Sequence, residues 1–196
     1  MRLPAKVRRG VGSFLVLLAV VAAPLLCTHE LESERVTVIQ REPRHLSVTF
    51  HLDEVELLRR LLAPTATHVE FCLSLAAMPD QSFGKALDDA HRRFATSLSV
   101  ITADGEPLEL KAWRWSSQAD IRKRVREVAM IAVAGGSDPL HRPVDDIAVD
   151  AIARSGFAAV RLVLPSVIAD TIVVSYRPQQ QRYRPQDAKR GLELTF

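Results

Sequence analysis

The chain has 196 residues, 47% of them hydrophobic and 25% charged, with two cysteines and a formal net charge of +3. These are ordinary values for one globular domain, and they exclude a disordered chain, a collagen-like or coiled-coil rod and a disulfide-built miniprotein. The positive balance is local: four basic residues and no acidic one lie within the first 28 positions.

Arg2, Lys6, Arg8 and Arg9 precede an apolar stretch from Val11 to Leu26, interrupted only by Gly12, Ser13 and Pro24. A charged start, a short apolar core and small residues define a secretory signal peptide. The run falls short of the roughly 20 unbroken apolar residues of a membrane span, so residues 1–28 are expected to be removed rather than kept as an anchor. Leu26 directly before Cys27 is a poor lipobox, which argues against lipid attachment there. Cuts after Ala22, Cys27 or Thr28 are tolerable, and the last would make His29 the new N-terminus. Without the leader, Lys plus Arg falls from 26 to 22 against 23 Asp plus Glu. The near-neutral remainder lacks the clustered charge that nucleic-acid binding needs. The absence of Asn and the excess of Arg over Lys suggest a GC-rich bacterial genome, and hence a periplasmic or secreted protein.

Residues 29–177 are expected to form one α+β domain, with 178–196 as a polar Gln/Arg/Pro-rich tail whose stretch 178–190 should be loose. "RVTVIQRE" (35–42) and "HLSVTFHL" (45–52) alternate apolar and polar about Pro43 and Arg44, predicting a β-hairpin. Leu46, Val48, Phe50 and Leu52 share one face of its second strand; His45, Ser47, Thr49 and His51 share the other. Asp53 with Glu56 marks a capping box, and Leu57, Leu58, Leu61 and Leu62 form the apolar stripe of a short helix stopped by Pro64. The run 67–77, "THVEFCLSLAA", reads as a buried strand, with Cys72 an inert thiol among apolar neighbours. Pro79 and Asp80 open a helix along which Phe83, Leu87, Ala90, Phe94 and Leu98 recur. A hairpin follows over "LSVITADGEPLELKAWRW", with Asp104 and Gly105 as its turn. Ser117 with Asp120 caps another helix, its apolar face Ile121, Val125, Val128 and Ala132, its opposite side the charge run Arg122, Lys123, Arg124 and Arg126, and its end Gly135. The alternating runs 144–153, 157–165 and 170–178 suggest consecutive antiparallel strands. The expected architecture is a mostly antiparallel sheet or sandwich of about seven strands with two or three amphipathic helices.

Few constellations carry chemistry. A free amine and imidazole at His29 would suit copper or nickel, with His45 as a further ligand. His45 and His51, six apart on one strand, lie about 20 Å apart and cannot share an ion. His91 follows Asp88 and Asp89, within reach of a surface hydrogen bond. The chain contains no HExxH, paired-cysteine, G-x-S-x-G or phosphate-loop motif, so no cofactor or catalytic set is assigned. Strand alternation puts Trp113 and Trp115 on one face with Glu109 and Lys111. Exposed, that indole pair would suit a sugar ring or partner protein; a bulge or an overlying helix would instead cover it. The final "KRGLELTF" places Gly191, Leu194 and Phe196 as in the terminal signal of outer-membrane barrels, or else forms a last edge strand.

His29 and Glu30, the 35–52 hairpin and "DGEPLELKAWRW" together resemble the extracytoplasmic head of bacterial hydrogenase/urease accessory membrane proteins of the HupE/UreJ type, and their small exported companions. The similarity spans residues 29–115. In that family the head precedes several membrane helices, which are missing here. The resemblance implies an accessory role beside a membrane partner, with metal homeostasis in view and no catalytic residues carried over. The reading is therefore an exported, non-enzymatic accessory or binding protein acting through Trp113 and Trp115 with an envelope partner. A copper or nickel carrier using His29 and a small envelope hydrolase are the alternatives.

Overall fold

The computed structural model describes residues 34–136, 143–168, 170–175, 180–183 and 191–195. The leader, Cys27 and His29 lie outside them.

The first hairpin is present. β1 (Arg35–Glu42) and β2 (His45–Leu52) pair antiparallel around Pro43 and Arg44, with Val38 opposite Val48. The pleat sends Val36, Val38, Leu46, Val48, Phe50 and Leu52 inward, none more than 3% exposed. Asp53 then caps α1 (Glu54–Leu62), its carboxylate accepting from the N–H groups of Val55 and Glu56.

The run 67–77 corrects an expectation: it holds not a strand but α2 (His68–Ala76). Thr67 accepts from the Glu70 N–H while the Glu70 carboxylate accepts from the Thr67 N–H, a complete capping box. Burial falls on His68, Phe71, Cys72 and Leu75, the spacing of one helical face. α3 (Asp80–Ser97) forms as expected, burying Phe83, Leu87, Ala90 and Phe94.

The second hairpin exists only at its tip. Gly105 takes a φ of +87°, Ile101 bridges Pro107, and the Leu108 N–H donates to the Val100 carbonyl. Beyond the tip, β3 (Ser99–Thr102) and β4 (Glu109–Arg114) part into different sheets. Ser117 caps α4 (Gln118–Val133), which ends at Gly135, φ +77°. Its buried face is turned from the expected one: Ala129 joins Ile121 and Val125, and Arg122 is buried with them. The charge run is thus not uniformly solvated, because Arg122 pairs with Asp80 and Arg124 with Asp145.

β5 (Asp145–Ile152), β6 (Ala159–Val163) and β7 (Thr171–Ser175) fill the three alternating runs, but they do not pair with one another as expected. β5 lies between β4 and β2; β7 joins β1 in parallel; β6 belongs to the smaller sheet. The stretch read as loose contains β8 (Gln180–Tyr183), and β9 (Leu192–Thr195) forms the last edge strand. The described strands make an open six-stranded sheet, β4-β5-β2-β1-β7-β8, and a three-stranded sheet, β3-β6-β9. The architecture is α+β and neither sheet closes, so β9 ends no barrel.

Two cores result. Residues of both sheets meet with Leu57, Phe94 and Leu98 in one; Val55, Leu58, Phe71, Leu75, Phe83, Leu87, Ile121 and Val125 hold the four helices together in the other. Among the described residues no helix is long and apolar enough to cross a membrane.

Candidate functional site

The face of the six-stranded sheet turned away from the core carries most of the polar groups expected to matter. Across the ladder from His45, Ser47, Thr49 and His51 stand Ile152, Asp150, Ala148 and Asp146. His45 Nε2 lies 3.1 Å from Asp150 Oδ1, and Arg114 Nη1 donates to Oδ2 of the same carboxylate at 3.0 Å. The Arg114 hydrogen bond, with His45 and against partial burial, holds the Asp150 carboxyl below its ordinary value. His51 Nδ1 donates to Asp146 Oδ1 at 2.6 Å, which leaves Nε2, 2.9 Å from Thr37 Oγ1, to accept from that hydroxyl. The order hydroxyl, imidazole, carboxylate is that of a general-base relay. The Asp146 side chain, however, is 70% exposed, so the relay lies open to water on a flat strand face.

Trp113 and Trp115 do not share the face of Glu109 and Lys111. Ala112 sits at φ +51°, and the β4–β5 register slips between Lys111, opposite Asp150, and Arg114, opposite Ala148. The extra residue is a bulge, and it carries Arg114 onto the outer face while turning both indoles inward. There they are half-buried and stacked, 5.1 Å between centroids; His91 of α3 covers the other face of Trp115 at 4.0 Å, and Phe94 meets both rings edge-on. Since Trp115 is covered on both faces, a sugar ring could be offered only the outer face of Trp113.

Two further histidines sit in arrangements with no sequence signal. His91 Nε2 meets Glu54 Oε1 at 3.0 Å rather than Asp88 or Asp89, and the other Glu54 oxygen accepts from the Ser116 N–H at 3.1 Å. Glu54 is fully buried, and its own N–H donates to Asp145, which Arg124 and Ser116 also reach. The partners come from α1, α3, α4, β5 and the segment after β4, so the network ties the helices to the sheet. His68 places Nδ1 3.3 Å from Glu56 and Nε2 3.6 Å from the Cys72 sulfur. With Nδ1 donating, Nε2 accepts from the thiol of Cys72, which is fully buried. Burial raises Glu56, but hydrogen bonds and charge from Arg59 and Arg60 outweigh it and hold the carboxyl at about 2.

His45 is 30% exposed at its side chain and engaged with Asp150; His29 cannot be placed beside it, lying outside the described residues. Among the described residues no group of three His, Cys, Asp or Glu side chains is placed to hold a metal ion. No family model, curated protein or solved structure matches the chain. The resemblance to the HupE/UreJ-type head therefore rests on the residues quoted for it.

Proposed function

We propose that this is an exported, non-enzymatic accessory or binding protein that acts beside a membrane or envelope partner. The observation that carries the proposal is the outer face of the six-stranded sheet, where Arg114, Asp150 and His45 form one linked set and Thr37, His51 and Asp146 another. Strand backbones fix both sets, so a partner meeting them loses little entropy in ordering them, and complementary charge would set its register. Ile152, 39% exposed at the end of β5 beyond Asp150 and opposite His45, adds an apolar contact. Trp113, with one indole face left over, lies on the opposite, inward side of the same edge strand and is not part of this surface.

The test is crosslinking and capture of the full chain from its native envelope, wild type against the double variant Arg114→Glu with Asp146→Lys. Both side chains are half-exposed or more, but Arg114→Glu places a carboxylate beside Asp150, so a melting curve of each chain separates lost binding from lost fold. One envelope protein recovered with wild type and lost with the variant is the expected result. Recovery of the chain alone, or of the same protein with both chains, overturns the reading.

A further inference from the structure

A groove of about 640 Å³ runs between the start of α3 and α4, lined in part by Asp80, Arg122, Lys123, Arg126, Glu127 and Met130. Its size is that of a small-molecule site. Arg122 is 9% exposed, with its guanidinium 4.5 Å above the Phe83 ring. Its Nη2 donates to the Met78 carbonyl and to Asp80, and its Nη1 is buried without a hydrogen-bond partner among the described residues. Asp80 is thus committed to Arg122. Glu127 approaches Lys123 only to 4.0 Å, with both side chains more than half exposed, and Arg126 has no ion pair among the described residues. The cationic charge of the groove exceeds its acidic charge by one, and the excess sits at Lys123 and Arg126. One helical step further, Met130 is 64% exposed, and Val133, three residues on, is 81% exposed. The same face of α4 is therefore cationic at one end and apolar at the other.

We propose that this groove binds an organic anion with an apolar tail: a carboxylate or phosphate head on Arg126 and Lys123, and a hydrocarbon segment along Met130 and Val133. A bare anion is a poorer fit. Two solvent-exposed cations hold a hydrated ion weakly in salt, and the apolar contact supplies what they lack. A free amphiphile and a lipid headgroup share this chemistry.

The test is calorimetry on the full chain with inorganic phosphate and with monomeric decyl phosphate, joined to flotation with phosphatidylglycerol or phosphatidylcholine vesicles. Decyl phosphate should bind one to one, about tenfold or more tighter than phosphate, and Lys123→Glu with Arg126→Glu should weaken it about tenfold or more. Met130→Ser should weaken decyl phosphate severalfold and leave phosphate unchanged. Flotation with phosphatidylglycerol that the charge variant abolishes identifies a lipid as the source; monomer binding without flotation identifies a soluble amphiphile. The proposal is overturned by decyl phosphate binding that survives the charge reversal, by equal affinity for phosphate, or by flotation without monomer binding. These side chains are on the surface, and an unchanged melting temperature separates lost binding from lost fold.

Discussion

Glu56 shows how one side chain can join two helices. It accepts from Arg59 at 2.9 Å and Arg60 at 3.1 Å on its own helix, and meets His68 of α2; Arg60 reaches on to Glu34 just before β1. Its folded pKa of about 2 lies below the ordinary 4.5, so its contribution is complete above the unfolded value and is lost as pH falls from there toward 2. Urea unfolding of wild type against Glu56→Gln should show a stability difference at pH 7 of at most about 3 kcal/mol that shrinks across that window. A difference independent of pH would contradict the assignment. Asp150 is shifted the same way by Arg114 and His45, which is one reason to compare single variants rather than whole acid titrations.

At the scale of elements, the β4 bulge decides what the sheet edge displays. Ala112 holds a left-handed conformation that costs an L-residue about 1–2 kcal/mol, and it is exposed, so little packing is lost with its methyl group. Ala112→Gly should therefore raise the urea midpoint, with a gain of about 1 kcal/mol after the added freedom of the unfolded chain. A fall would mean that the bulge is not strained. No residue in "ELKAWRW" announces this bulge, and the regular alternation of the sequence put the indoles on the wrong face. The α2 segment differs, because its signal is legible: Thr67 and Glu70 spell a capping box, whereas Phe71 and Leu75 fit a period of two as well as one of 3.6, so the apolar run taken alone points to a strand. The 35–52 hairpin, α1, α3 and the Ser117 cap were readable because each is settled by residues within a few positions. The pairing of β5, β6 and β7 was not, since a strand's partner is chosen by the whole chain. The Glu54–His91 contact, 37 residues apart, was hidden for the same reason.

At the scale of the molecule, α1 belongs to both cores, giving Leu57 to the sheets and Val55 and Leu58 to the helices. Leu58→Ala, at a fully buried position, should cost about 2–5 kcal/mol. Because the cores share this helix, far-ultraviolet circular dichroism and tryptophan fluorescence should still report one coincident transition; two separated transitions would show that the cores melt independently. The parallel pairing of β1 with β7 reaches across most of the chain, Val36 opposite Val173, and the Thr171 hydroxyl donates to the Glu34 carbonyl. A chain that emerges from its N-terminus can zip the 35–52 hairpin at once, yet the β1 flank of that hairpin stays bare until residues 171–175 arrive. During that interval it offers an open ladder to any neighbouring strand, and a product cut short before residue 171 would keep it open for good, liable to stick to its own kind.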